Sequence, residues 1–266
     1  MICVECGQPV NNVHYKYRGG SIRLTICEFC HNVADKYVEH ELVIIFLDLV
    51  LHKAQAYRHL IFNRMEYCES GLQTSDFQLV FYIIIMEAYS KTRANDPQEW
   101  SALAEPDQWQ GYAPSLAAWS HFGVWVAVCT VQMVLYCLAS VAAARLLFSA
   151  RFPIVKYNYL VKCVILANFG RCFYGLLLVW DYDHPAIFDR MVDLFVFSSS
   201  FVAVRVWTGS GAMVALYIVL AGWSARLAVQ QAVLHAGWVL DPPTQSLLVT
   251  ANFAARSLPL PRSEPL

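Results

Sequence analysis

Apolar residues dominate four long stretches in the second half of the chain. The stretches run over 119–148, 160–180, 192–207 and 211–229, and short connections separate them. An α-helix of about 20 apolar residues crosses the hydrocarbon of a bilayer, so the pattern predicts four membrane helices, of which the third is short. Tryptophans lie at or near their ends, as is typical of side chains at a membrane interface: Trp119, Trp180, Trp207, Trp223 and Trp238.

Polar residues recur with helical spacing between Ala34 and Asn63, a segment without proline or glycine. At 100° per residue, five polar side chains fall on one narrow stripe, and apolar residues cover the other faces. This pattern predicts one amphipathic helix that lies in the headgroup region of a membrane, the alternative being a helix inside a soluble core. The stripe consists of Glu41, Asp48, His52, Gln55 and His59.

Residues 77–86 form a shorter apolar run between a polar break and a loop rich in proline, tryptophan and acidic residues. The run is shorter than the ~20 residues that a span needs, so it is ambiguous between a short span and a non-spanning segment. At the other end of the chain, residues 241–266 contain five prolines. That composition predicts a disordered tail.

Four cysteines form two Cys-x-x-Cys pairs, Cys3 with Cys6 and Cys27 with Cys30. Side-chain character alternates on both sides of Gly19-Gly20, which predicts a β-hairpin that brings the pairs together. The spacing fits a zinc ribbon, in which four thiolates hold a structural Zn²⁺ and leave no coordination position for catalysis. A redox-active dithiol is the alternative interpretation.

Other candidate metal ligands are interpreted differently. His14 and His31 lie near the cysteine pairs, but four thiolates already complete the coordination, so we expect both imidazoles at the surface or behind the ligands. The remaining cysteines are scattered singly through the rest of the chain and are expected to act as small packing residues: Cys68, Cys129, Cys137, Cys163 and Cys172.

Composition and charge agree with a membrane protein. Hydrophobic residues make up 58% of the chain and charged residues 15%, against about a quarter charged in soluble proteins. Runs of Lys and Arg are missing, which gives no reason to expect a nucleic-acid partner. Residues 1–20 lack the pattern of a cleaved signal peptide, so membrane entry is expected to depend on internal segments.

Loop charges suggest an orientation. Arg151 and Lys156 place the loop before 160 in the cytosol, whereas Asp181 and Asp183 are typical of a lumenal loop. Reduced cysteines also belong in the cytosol. Both expectations are met if residues 77–89 cross the membrane as a fifth span.

The predicted fold is mainly α: a polytopic membrane helical bundle of four or five spans with a small N-terminal β-hairpin zinc ribbon. The expected division is a ribbon over 1–33, the amphipathic interfacial helix over 34–65, a short span plus polar loop over 66–118, a multi-span domain over 119–230 and a tail over 231–266.

Two segments after the ribbon carry a resemblance to a known family. They are Asp35-Lys36-Tyr37-Val38-Glu39 and the run from Lys53 to Asn63, Lys-Ala-Gln-Ala-Tyr-Arg-His-Leu-Ile-Phe-Asn. With the ribbon, they resemble the Arv family of endoplasmic-reticulum membrane proteins over residues 1–65, and beyond that only the profile of several membrane helices is shared.

The resemblance implies a non-catalytic role in lipid homeostasis. It implies sterol uptake, trafficking and distribution, effects on sphingolipid metabolism, and support of glycosylphosphatidylinositol (GPI) anchor synthesis. The implied location is the endoplasmic-reticulum membrane, with the Golgi as a further site and the ribbon facing the cytosol. The implied partners are membrane lipids, either sterol or glycolipid, and GPI-synthesis proteins. The oligomeric state is left open.

Candidate lipid or partner contacts are Tyr57, Arg58 and His59 on the amphipathic segment and Arg171 in a span. The alternative is that Arg58 and His59 bond back to the ribbon or to helix ends, and that Arg171 pairs with Asp193, since ionisable groups at membrane depth usually face a partner. Lys162 and Arg226 lie near helix ends and are expected to reach for the interface.

Two further function classes compete with lipid handling. The chain could be an assembly subunit or chaperone of a lipid-synthesis complex, with the ribbon as its docking module. A lipid-modifying enzyme is the third hypothesis, and its candidate cluster is Asp181-Tyr182-Asp183-His184. This cluster precedes a proline and has no metal spacing, so it is interpreted as a solvated turn.

Overall fold

The structure is a computed structural model that describes residues 1–17, 22–64, 72–95, 116–148, 155–180, 185–209 and 211–235. Several sequence predictions lie outside these residues: the Gly19-Gly20 turn, the polar loop over 96–115, the loop charges at 151 and 181–183, the cluster at 181–184 and the proline-containing tail.

The N-terminal part is a small β unit. Strand β1, His14–Lys16, pairs antiparallel with β2, Ile22–Leu24, and Tyr15 lies opposite Arg23. Isolated bridges join Ile2 to Pro9 and Ile26 to Val33, one next to each cysteine pair. The predicted hairpin between the two pairs is therefore confirmed.

The segment after the ribbon is divided, which corrects the prediction of one helix from Ala34 to Asn63. A 3₁₀ turn at Lys36–Val38 precedes α1, Leu42–Val50. Helix α2, Ala54–Arg58, follows and continues into a π turn at His59–Asn63. The break lies at His52, whose φ of 57° is left-handed and cannot continue an α-helix.

Five longer helical segments complete the described fold. They are α3, Thr74–Asn95; α4, Leu116–Phe148; α5, Val155–Ala167, which continues as a 3₁₀ helix over Asn168–Leu178; α6, Pro185–Thr208; and α7, Ala212–His235.

Three of these segments are long and apolar enough to cross a membrane, among the residues that the structure describes: Phe122–Phe148, Tyr157–Leu177 and Ala212–Val233. They fall on three of the four predicted spans. The remaining predicted stretch, 192–207, belongs to α6, and the ambiguous run at 77–86 belongs to the 22-residue α3. Neither α3 nor α6 is apolar enough over a sufficient length to count among these candidate spans. A mainly helical membrane fold with a small N-terminal hairpin is confirmed.

Close helix packing depends on two glycines. A Cβ on Gly222 of α7 would lie 2.6 Å from Ser140 Oγ and 2.7 Å from a Tyr136 ring carbon of α4. A Cβ on Gly170 would overlap the ring of Phe195. Side chains at these positions would push apart helices that share one buried core, since protein interiors are packed without spare room.

Candidate metal centre

The two cysteine pairs lie on two loops with the same backbone geometry. In the first, the amide of Gly7 donates to the carbonyl of Cys3, and in the second the amide of His31 donates to the carbonyl of Cys27, each at 2.9 Å. Gly7 and His31 both have positive φ, 78° and 58°. Each loop therefore folds back directly after its second cysteine, so both thiols of a pair point to one place.

The four sulfurs converge in a geometry that fits a metal ion. The Sγ atoms of Cys3 and Cys30 are 3.7 Å apart, as are those of Cys6 and Cys27. All four lie within 4.8 Å of one another. Tetrahedral zinc with bonds of about 2.3 Å implies sulfur separations of about 3.8 Å. The site is therefore compatible with a four-thiolate metal centre, and the histidines 14 and 31 are not part of it.

The local environment shifts the pKa values of Cys3 and Cys27 in opposite directions. The backbone amide of Cys30, followed by that of Phe29, lowers the pKa of Cys27 to about 7, whereas burial raises the pKa of Cys3 to about 12. A thiolate at Cys3 therefore needs a compensating positive charge. A metal cation supplies one, because coordination stabilises the deprotonated form of a thiol.

Arg58 and Asn63 hold the ribbon against the α2 segment. The Nη1 of Arg58 donates to the carbonyl oxygens of Val4 and Glu5, at 2.7 and 2.8 Å. The side chain of Asn63 bonds both to the amide and to the carbonyl of Ile2, at 2.9 Å each. The backbone of residues 2–5 is thus fixed to α2 and its π turn by four hydrogen bonds.

A fully buried carboxylate lies at the centre of this contact. Asp35 Oδ2 is 2.7 Å from both His59 Nδ1 and Asn63 Nδ2, and its Oδ1 accepts from the amide of Tyr37 at 3.0 Å. One side chain therefore starts the 3₁₀ turn and joins it to the π turn. A buried carboxylate without these partners would be strongly unfavourable.

Charged pairs at the rim join the ribbon to α1 and α2. Glu5 bonds to Lys36 and Gln55, and Asp48 accepts from the Tyr37 hydroxyl at 2.8 Å and from Lys53 at 2.6 Å. Burial raises the pKa of Asp48, but these two donors outweigh it and hold the pKa below its ordinary value. Asp48 and Gln55, two polar residues of the predicted stripe, therefore form hydrogen bonds within the protein.

The same segment contacts the membrane domain. The hydroxyls of Tyr57 and Ser199 lie 2.7 Å apart, and Ser198 Oγ is 3.0 Å from His52 Nε2. Tyr57 is fully buried and packs with Cys163 and Ala203 of α5 and α6. Residues 52–63 therefore connect the candidate metal centre to two membrane-domain helices.

Three candidate contact residues are thus placed at protein contacts. Arg58 bonds back to the ribbon and His59 to Asp35, which caps the 3₁₀ turn, as in the alternative role given above, and Tyr57 faces α6. A contact of these three residues with lipid stays a prediction. Asp35 and Asn63 are contact residues that sequence reasoning did not single out, although both belong to the segments that carry the family resemblance.

Arg171 belongs to a buried ionic cluster of the membrane domain. Its guanidinium lies 3.3 Å from Glu87 Oε1 and 3.4 Å from Asp193 Oδ1, and Arg226 bonds to the same Glu87. The predicted pairing of Arg171 with Asp193 is present, and Glu87 was missed because it lies outside the apolar run of α3. A carboxylate shared by two guanidinium groups joins α3, the 3₁₀ helix and α7.

The expectation that Lys162 and Arg226 reach for the interface is wrong. Lys162 is buried and lies 3.7 Å from the buried Asp76 of α3, and Arg226 is buried against Glu87. The partners come from α3, a segment whose position could not be inferred from periodicity. Buried pairing satisfies charges that would otherwise be costly at membrane depth.

Comparisons with known proteins extend the resemblance beyond the ribbon. The profile of the Arv1-like family matches residues 2–204. The "Protein arv1 homolog" of Dictyostelium discoideum is 37% identical over 244 residues, which cover 86% of this chain and 94% of that protein. The "Protein ARV 2" of Arabidopsis thaliana is 30% identical over 90% of this chain and 97% of its own length.

In one fungal relative, the similarity to this chain is confined to a short stretch of high identity. The "Protein ARV1" of Saccharomyces cerevisiae is 48% identical, but over 66 residues, a quarter of this chain. No solved structure matches significantly.

Proposed function

Because this chain belongs to the Arv1-like family, we propose that it is a non-catalytic membrane protein of the endoplasmic reticulum that mediates sterol homeostasis. The proposed role covers sterol uptake, trafficking and distribution, with effects on sphingolipid metabolism and GPI-anchor synthesis. Family membership carries this proposal. The apolar helices support a membrane location, and the ribbon would face the cytosol, where thiols stay reduced.

The proposed cofactor is a structural Zn²⁺ held by the four cysteines. The sulfur separations of 3.7 Å support it. Four thiolates would fill the coordination of zinc, so the ion would stabilise the fold of a unit too small to fold alone, and would not activate water. This arrangement supports a non-catalytic ribbon, as do the names of the relatives, which describe no reaction.

Cys27→Ser tests the zinc proposal. The purified wild type should contain one zinc per chain by elemental analysis, and the variant should lose most of it because three thiolates and a hydroxyl bind zinc poorly. Cys137→Ser, at a half-buried position in α4, is the matched control and should keep the metal. Equal zinc content in wild type and Cys27→Ser would refute the assignment.

The sterol role is tested in cells that lack their own Arv1-family protein. Expression of this chain should shift free sterol from the endoplasmic reticulum toward the plasma membrane, measured by organelle fractionation and sterol analysis. The Cys137→Ser variant should restore the distribution and Cys27→Ser should not. A wild-type protein that is present at normal levels but leaves the distribution unchanged would contradict the proposal.

An assembly subunit or chaperone of a GPI-synthesis or other lipid-synthesis complex is the second candidate function. The ribbon supports it because Ile26 and Phe29 expose 62% and 64% of their surface, as residues of a docking module do.

Purified protein that transfers sterol between vesicles unaided would favour direct lipid handling. Transfer only in the presence of co-isolated synthesis proteins would favour assembly. Lipid turnover that an Asp183→Ala variant abolishes would instead indicate an enzyme.

A further inference from the structure

Helix α1 exposes a continuous apolar surface. Every exposed side chain between Leu42 and Leu51 is apolar. Leu42, Val43 and Leu51 expose 63%, 64% and 66% of their surface, and Ile44, Phe46 and Leu47 lie between them. Exposed apolar area is unfavourable in water, so a surface of this kind marks an interaction site.

The charged residue of α1 is turned away from this surface. Asp48 is bonded to Tyr37 of the ribbon side and to Lys53 of the following turn. His52, in the break after α1, lies within hydrogen-bonding distance of Ser198 of α6. The polar side of the segment is thus occupied by protein contacts, whereas most of its apolar side stays exposed within the part of the chain that the structure describes.

The position of α1 indicates what covers the apolar side. The Phe46 ring meets the Phe169 ring edge to face, with centroids 6.0 Å apart. Leu49 is buried in one cluster with Cys163, Ala167 and Phe169. These three residues belong to the candidate span Tyr157–Leu177. Helix α1 therefore packs on a candidate span through Phe46 and Leu49, and its exposed apolar face lies beside that span.

We infer that the apolar face of α1 inserts among the acyl chains of the leaflet on which the ribbon lies. The inference rests on the membrane placement proposed above, and it assigns lipid contact to α1 instead of Tyr57, Arg58 and His59. A short helix that lies in the interface buries its apolar side about 5–10 Å into the boundary of headgroups and chains.

Apolar area, and not charge, drives this insertion. Glu39 and Glu41 are exposed at the N-terminal end of α1, where they would repel anionic headgroups. The exposed Lys53 that follows α1 is paired with Asp48 at 2.6 Å and so adds no net positive charge. A helix that depended on anionic lipid would instead carry several unpaired lysines and arginines on its polar side. Contact with lipid should therefore be as strong in neutral phosphatidylcholine as in mixtures that contain phosphatidylserine.

Photocrosslinking in nanodiscs tests the contact. The photoreactive residue p-benzoylphenylalanine is placed at Leu47 in the full chain, and at Glu28, an exposed position of the ribbon, as the control. After irradiation in phosphatidylcholine nanodiscs, mass spectrometry should find several-fold more acyl-chain adduct from position 47 than from position 28. Added phosphatidylserine should leave the ratio unchanged.

Two outcomes would overturn the inference. One is equal lipid labelling from the two positions, and the other is labelling from position 47 that goes to protein alone, which would mean that another chain covers α1. Both labelled proteins must keep the zinc content of the wild type, which excludes misfolding. The labelling experiment measures lipid contact, and the fractionation experiment measures sterol distribution. Failure of the inference and failure of the proposed function can therefore be distinguished.

Discussion

At the scale of single residues, the contact between Arg58 and the ribbon backbone can be tested directly. Arg58→Gln removes the Nη1 donor that two carbonyl oxygens share. A hydrogen bond to a charged group is worth about 1.5–3 kcal/mol, so we expect the free energy of unfolding to fall by about that amount. Amide hydrogen exchange of residues 1–17 should rise accordingly. Arg64→Gln, an equal charge change at an exposed position of the same segment, is the control. Equal exchange in the two variants would contradict the role given to Arg58.

Tyr57 should make the protein sensitive to alkaline pH. Burial raises the pKa of Tyr57 to about 12, from 10.0 in the unfolded chain. The stability from keeping the phenol neutral is therefore present below pH 10 and is lost as the pH rises toward 12. This amounts to about 1.4 kcal/mol between pH 8 and pH 11. Thermal unfolding of Tyr57→Phe in detergent should decline less over that interval than the wild type. Tyr15→Phe, at an exposed position, should follow the wild type, and a Tyr57→Phe curve parallel to the wild type would refute the prediction.

Residue-scale prediction from sequence succeeded where the determinants were local. The cysteine pairs are two residues apart and the hairpin between them follows from alternation, so the four-sulfur site could be predicted. The partners of Arg58 and Asp35 could not, because they depend on how the ribbon docks on residues 54–63. Residue type alone made Arg58 equally suited to a lipid phosphate and to two carbonyl oxygens.

At the scale of helices, close packing of α4 on α7 should depend on the missing side chain of Gly222. Gly222→Ala places a methyl group 2.6 Å from Ser140 Oγ, so the clash should outweigh the gain in helix propensity and cost about 1–3 kcal/mol. Gly123→Ala in α4 meets nothing within 4 Å and should be neutral or stabilising by up to about 1 kcal/mol. Thermal unfolding in detergent compares the two. A stabilising Gly222→Ala would show that the helices separate without cost.

The break between α1 and α2 shows why periodicity misjudged an element. The polar positions fit a single 3.6-residue helix, and nothing in the segment resembles a glycine or proline stop. A left-handed His52, held between α6 and the turn, divides the helix all the same. Tertiary contacts here override local preference, and the two short helices can then present the polar side to the ribbon and the apolar side away from it.

At the scale of the whole molecule, hydropathy predicted the membrane domain but not its ionic connections. The three candidate spans coincide with predicted stretches because span length and apolar content are read along the chain. Arg171 was expected to find a partner, whereas Glu87 and Asp76 were not recognised as the partners of Arg226 and Lys162. These pairs cross between distant segments, so only the packed helices reveal them.

If the four cysteines hold the proposed zinc, its removal should affect the two halves of the molecule differently. A unit as small as the ribbon has too small a core to stay folded without such an ion, so a chelator should release the contacts that Arg58, Asn63 and Asp35 make and abolish slow amide exchange in residues 1–17 and 22–63. The spans at 122–148 and 212–233 pack on each other through their own buried cluster and should keep their protection. Hydrogen exchange with and without chelator measures both, and Cys27→Ser should match the chelated wild type without any chelator present. If the spans lost their protection from exchange as fast as residues 1–17 and 22–63, the membrane domain would depend on the ribbon for its fold. That result would contradict the expectation that the ribbon unfolds on its own.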